Sequence, residues 1–124
     1  MSGNRYFFDS NAIIAYLKGN EFIGDSILDA AWIGTSVICI IEFLSFPNLS
    51  DEDLLLLNIF LSRIEKIGIS DNLYFLKDYA AFKIQSKLKL PDAIIARCAI
   101  QRQATLISND KYFQNINGLS VLQF

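Results

Sequence analysis

The sequence predicts an α/β fold, a mostly parallel sheet packed by helices, and three observations predict it. Short apolar runs of strand length alternate with longer helix-type stretches along the whole chain. Serine, aspartate and proline stand where those helices would begin. No repeat, low-complexity segment or linker interrupts the 124 residues, which are 52% hydrophobic. Residues 1–124 therefore read as a single domain with one core.

The elements follow in order. Tyr6-Phe7-Phe8 is an aromatic, buried-type strand that stops at Asp9. Ala12 to Leu17 is a helix, with Asp9 or Ser10 at its N-cap and Gly19-Asn20 at its end. A second short helix is expected from about Glu21 to Ala31, and a strand over Trp32–Thr35. Ser36 caps a helix through Val37–Leu44 that ends near Phe46-Pro47-Asn48. Ser50-Asp51-Glu52-Asp53 opens the next helix with acids that favour its dipole, and that helix is expected to reach about Lys66. Ile67-Gly68-Ile69 reads as a third strand, and Asp71 to about Lys87 as a helix. Leu90-Pro91-Asp92 starts a helix to about Gln103, with proline in its first turn. Ala104–Ile107 is a fourth strand, followed by Ser108-Asn109-Asp110, a short helical turn near Tyr112-Phe113, and a last strand over Leu119–Leu122.

Composition narrows the chemistry. The chain has no histidine. That excludes Ser/His/Asp and Cys/His catalysis and nearly all zinc hydrolase patterns. Cys39 and Cys98 stand far apart in apolar surroundings and read as small buried hydrophobes of a reducing compartment. The net charge of −2 argues against tight nonspecific binding of nucleic acid through phosphate contacts alone. A nuclease whose bound cations meet the phosphate is still allowed. No apolar run is long enough to span a bilayer and no secretory pattern is seen, so a cytoplasmic protein without a membrane partner is expected.

Most of the thirteen acidic residues sit at helix starts or on helix faces. Four do not. Asp9 and Asp110 follow apolar strands at their C-terminal ends, where open α/β sheets gather ligands. Glu42 is embedded in an apolar helix among Ile38, Ile41 and Phe43, which is costly for a lone carboxylate. Asp92 opens a helix that continues Ala93-Ile94-Ile95-Ala96. Asp9 or Asp92 alone reads as an N-cap and Glu42 alone as the edge of a helix. The four together point to convergence in an α/β fold. Convergent carboxylates without histidine suit hard cations, Mg²⁺ or Mn²⁺.

The segments Phe8-Asp9-Ser10-Asn11, Ser36 to Glu42, Lys89 to Ala96, and Leu106 to Phe113 resemble the PIN domain. More narrowly they resemble its VapC-type toxin ribonucleases. The resemblance covers nearly the whole chain, and its most specific parts are Leu90-Pro91-Asp92-Ala93 and Ser108-Asn109-Asp110. It implies a three-layer α/β/α sandwich with a parallel sheet of four or five strands. It implies that Asp9, Glu42, Asp92 and Asp110 bind Mg²⁺ or Mn²⁺ and carry the cleavage of RNA by a metal-activated water. By position, Asn11, Ser36, Ser108 and Asn109 would support that site. The family also implies a cognate antitoxin and a homodimer. Ser108 departs from the more usual threonine but keeps the hydroxyl, and Tyr112 stands where an acid is frequent. For RNA contact the candidates are Lys111, by adjacency to Asp110, and Lys87, Lys89 and Arg97 around Asp92, with Lys83 one turn before Lys87. Each lysine alone reads equally as a solvated helix face.

Rival readings remain. A phosphatase of the haloacid-dehalogenase type needs a second acid where Asn11 stands, and a receiver domain needs paired acids near the first strand. A PIN-like binding module without turnover, or a housekeeping RNA-processing nuclease, stays open as an alternative.

Overall fold

Phe7 and Phe8 are both fully buried, although neighbouring residues of a strand point to opposite faces. Their strand must therefore be covered on both sides, which is the environment of a parallel sheet between two helix layers. The computed structural model describes residues 3–124. It contains β1 (Asn4–Phe8), α1 (Ser10–Leu17), α2 (Glu21–Ser26), β2 (Ala30–Ser36), α3 (Val37–Leu44), α4 (Asp51–Leu61), β3 (Glu65–Ile67), α5 (Leu73–Ser86), α6 (Leu90–Gln101), β4 (Thr105–Ser108) and β5 (Val121–Gln123). A 3₁₀ turn, Lys111–Phe113, follows β4. The five strands are all parallel, in the order β3-β2-β1-β4-β5.

That order has one reversal. The chain lays β2 and β3 on one side of β1, then crosses to lay β4 and β5 on the other. The loops after β1 and β4 therefore part in opposite directions and leave a crevice between them, the topological switch point of an open α/β sheet. Register aligns the strand ends around it: Phe8 pairs with Thr35 on one side and Ile107 on the other. Asp9, Ser36 and Ser108 consequently stand side by side at the C-terminal edge of β1, β2 and β4. The Thr35 hydroxyl donates to the Phe8 carbonyl at 2.7 Å, and the Asp9 amide donates to the Ile107 carbonyl at 3.3 Å.

The helices are set by caps. Asp9, Asn20, Ser36, Ser50 and Asn72 each accept from a first-turn amide of α1 to α5 in turn. Ser50 and Asp53 form a reciprocal capping box. Gly19, at φ 91°, supplies the left-handed step that ends α1. α1 packs against α2, α3 and α4, and α5 packs against α6. Phe8, Tyr16 and Phe60 meet with ring centroids 5.2 to 5.7 Å apart. Both cysteines are free and buried, in line with their apolar sequence context.

Several boundaries differ from the sequence expectation. α2 stops at Ser26 rather than near Ala31, because β2 begins at Ala30, opposite Asn4 of β1. α4 stops at Leu61 rather than near Lys66, and the third strand is Glu65–Ile67 rather than Ile67–Ile69. Two forces explain the shift. The Ser62 hydroxyl donates to the Ile59 carbonyl at 2.6 Å and competes with helix continuation. β2 ends at Ser36, opposite Ile67, so Gly68 and Ile69 have no strand to pair with. The last strand starts at Val121 because the Leu119 amide is held in a turn by the Ile116 carbonyl. Among the aromatics, Phe43, Phe60 and Phe82 are in the core, whereas Tyr74, Phe75 and Phe46 are exposed.

Candidate active site

Asp9 is the pivot. It follows β1 directly, caps α1 by accepting from the Ala12 amide at 2.7 Å, and is only 4% exposed. Burial pushes its carboxyl up from 3.8 to about 6. The Ser108 hydroxyl and the Ala12 amide act against that rise, and the charges of Asp110 and Glu42 add to it. Ser108 is fully buried and faces both ways: its hydroxyl serves Asp9, and its oxygen accepts from the Asp110 amide at 3.0 Å. Asp110 in turn accepts from the Tyr112 amide at 2.9 Å and so caps the 3₁₀ turn.

Glu42 reaches the same place from α3. Ser36 sets that helix by accepting from the Cys39 amide at 3.3 Å. Burial raises the Glu42 carboxyl, the Ser10 hydroxyl lowers it, and the Asp92 charge raises it. Asp92 stands in the first turn of α6. Its carboxyl is raised by burial and by Asp110, and lowered by Lys89. Asp9 thus feels Asp110 and Glu42, Glu42 feels Asp92, and Asp92 feels Asp110. These four repulsions close a ring. Among the described residues the ion pairs are Arg97–Asp78 and Arg102–Glu65, so no member of the ring is in an ion pair, and the charge of Lys89 acts on Asp92 only from beyond ion-pair distance.

The donor set is all oxygen and carries surplus negative charge, which fits a hard divalent cation. Among the described residues no three acidic or thiol groups converge tightly enough to cage a bare ion. A cation held here would keep water in its coordination shell, as Mg²⁺ does readily. Asn11 and Asn109 flank the ring from opposite sides of the crevice and are bonded to each other, Nδ2 to Oδ1, at 3.2 Å.

The structure brings Asp9, Glu42, Asp92, Asp110, Ser108, Asn11 and Asn109 to one strand edge, whereas Ser36 acts there through α3. Sequence reasoning missed Ser10, which serves Glu42, and Thr35, whose fully buried hydroxyl holds the end of β1. Ser10 had a signal, its place inside the Asp9-Ser10-Asn11 segment. Thr35 had only its position before Ser36.

Of the basic candidates, Lys89 is the N-cap residue of α6, Lys87 ends α5 in a left-handed conformation, and Lys111 opens the 3₁₀ turn. Arg97 already has a partner. Its guanidinium grips Asp78 of α5 in a fork at 2.8 and 2.9 Å and lies over Phe82, so its charge is not free for a phosphate. A hollow of about 480 Å³ lies not at the ring but beside it, an apolar groove lined by Ile14, Leu17, Phe43, Phe46 and Leu49. Asn11 belongs to both.

The PIN domain family model matches residues 6–119. A comparison with curated proteins finds no match. Solved structures similar to this chain include VapBC2 from Rickettsia felis bound to a DNA fragment from their promoter, at 23% identity and a TM-score of 0.77, covering 96% of this chain and 98% of that one. A toxin–antitoxin complex from Klebsiella pneumoniae aligns at 27% identity and a TM-score of 0.73, covering 94% and 95%. DNA-bound VapBC from Salmonella typhimurium aligns at 20% identity and a TM-score of 0.71, covering 97% and 98%.

Proposed function

The chain belongs to the PIN domain family, and from that premise we propose that it is a divalent-metal-dependent endoribonuclease, the toxin of a toxin–antitoxin pair. The observation that carries the reading is the ring of Asp9, Glu42, Asp92 and Asp110 at the switch point, mutually repelling and, among the described residues, in no ion pair. Such a ring is unfavourable in the chain alone, and a bound cation reverses the sign of the interaction.

Asp9 and Asp92 would be the primary ligands of Mg²⁺ or Mn²⁺, with Glu42 and Asp110 completing the set. When bound, the ion lowers the pKa of an attacking water and polarises a phosphodiester. The protein's own contribution is positioning. The Ala12 amide and Ser108 hold Asp9 in one rotamer, Ser10 steadies Glu42, and the turn after Asp110 fixes that carboxylate. Asn11 and Asn109, exposed at the mouth, offer amide groups to a ribose or phosphate oxygen.

Several of the similar solved structures are toxin–antitoxin complexes. By analogy, a cognate antitoxin would bind this chain and cover its site, and the apolar groove beside Asn11 is surface that such a partner could bury. A homodimer in the cytoplasm completes the proposal. Among the described residues no helix is long and apolar enough to cross a membrane.

The test is cleavage of labelled single-stranded RNA by purified protein with Mn²⁺ or Mg²⁺, with EDTA, and by an identically prepared Asp9→Asn variant. Cleavage that needs the metal and vanishes in the variant supports the reading. Equal cleavage by the variant would expose a contaminant and sink it.

A further inference from the structure

An acidic protein that cuts RNA must draw the substrate in by a local patch, because its overall charge repels phosphate. This inference rests on the ribonuclease reading. The turn between α5 and α6 has the necessary character. Lys83, Lys87 and Lys89 fall within seven residues of a chain that has eleven lysines and arginines in all. All three are exposed, and among the described residues none is in an ion pair. The backbone draws them together: the Lys87 amide donates to the Lys83 carbonyl at 3.0 Å, and Lys87 then turns left-handed at φ 64°. That turn delivers Lys89 to the N-cap of α6, one turn before Asp92 and on the same helix face. As N-cap, Lys89 makes no side-chain hydrogen bond to the first turn of α6.

We propose that the Lys83–Lys89 turn is the track along which the RNA backbone enters, with Lys89 the positioning residue that holds the phosphate next to the one cut at the carboxylate ring. Lys89 is suited to this because its charge already reaches Asp92, a ring member. Arg97, on the same helix, is committed to Asp78 and takes no part. Lys111 follows Asp110 and opens the 3₁₀ turn, and it marks the alternative entry.

The experiment measures binding apart from turnover. The affinity of the Asp9→Asn protein for a fluorescent single-stranded oligonucleotide is followed against salt concentration, with and without Lys89→Gln. One lost phosphate contact lowers the log–log salt slope by about 0.7, which is a loss of about four-fold in affinity near 0.15 M salt. Lys89→Arg should restore both. In a protein with Asp9 intact, Lys89→Gln should leave the rise in melting temperature on adding Mn²⁺ undiminished, because it removes a charge that competes with the metal. Unchanged affinity and slope in Lys89→Gln would overturn the proposal, as would a loss confined to Lys111→Gln. A collapse of the Mn²⁺ response would overturn it too, by showing that Lys89 serves the carboxylates. Failure of the wild-type chain to bind or cut any RNA would overturn the ribonuclease reading and this one with it.

Discussion

Removing the charge of Asp9 should abolish cleavage and yet make the metal-free protein more stable. In the folded chain this carboxyl loses its proton only near pH 6, against 3.8 for an ordinary aspartate. A pKa displaced by one corresponds to about 1.4 kcal/mol, so ionised Asp9 carries a penalty of about 3 kcal/mol at pH 7.5. Between pH 3.8 and 6 the folded state binds more protons than the unfolded state. Stability therefore falls as pH rises through that window and is level above it. The asparagine of Asp9→Asn would keep the acceptor for the Ala12 amide while shedding the charge. The pKa near 6 already includes the Ala12 amide's preference for the charged cap, so the net gain is about 2–3 kcal/mol. A chain of this length shifts its melting temperature by roughly 4 °C per kcal/mol. Thermal unfolding in EDTA from pH 4 to pH 8 should show Asp9→Asn indistinguishable from wild type near pH 4. It should melt about 8–12 °C higher above pH 6.5. Added Mn²⁺ should raise the wild type and not the variant. A variant that is less stable at pH 7.5, or a difference that does not change with pH, would refute the account of a strained, uncompensated carboxylate.

Three further outcomes follow from the geometry. Gly34→Ala should cost about 1–3 kcal/mol in urea unfolding, because a methyl group there meets the Trp32 ring and comes within 3.1 Å of the Glu65 carbonyl. Trp32 is pinned from above by Arg5 at 4.7 Å, so its fluorescence should shift in the same variant. Ser108→Ala should weaken Mn²⁺ binding by about ten- to a hundred-fold, measured by titration, since Asp9 and the Asp110 amide lose one shared partner; Ser108→Thr should retain most of it. Cys39, pushed up to about 12 by burial, and buried Cys98 should both resist a thiol reagent in the native protein and react together on unfolding; reaction of either under native conditions would contradict the packing.

The candidate acids stand out in the sequence more plainly than the element boundaries do. Asp9, Asp92 and Asp110 declare themselves because each adjoins an apolar run whose pattern is unmistakable, and Glu42 because it interrupts one. The alternation of elements pointed to the parallel sheet for the same reason. Where β3 begins was not legible, because it depends on where β2 runs out of partners, a fact about residue 36 rather than residue 67. The role of Ser10 was hidden likewise, since its partner Glu42 lies on another helix. The partner of Arg97 was hidden too, because Asp78, nineteen residues earlier, is its neighbour only once α5 and α6 pack. Local pattern reports local structure; pairings across elements need the fold.

The placement of the acids explains why the fold tolerates them. Asp9 is a good N-cap, Asp110 a good turn cap, and Asp92 a favourable first-turn residue near a helix dipole. Each therefore stabilises its own element even with no cation present, which offsets part of the repulsion around the ring. Glu42 alone has no such local role: it lies on the last turns of α3, between Ile41 and Phe43, where a carboxylate does nothing for the helix. Its only compensations are Ser10 and partial exposure to solvent. Glu42 is thus the residue whose presence is hardest to explain by folding, and it is the one to which the proposed cation at the switch point would give the missing partner.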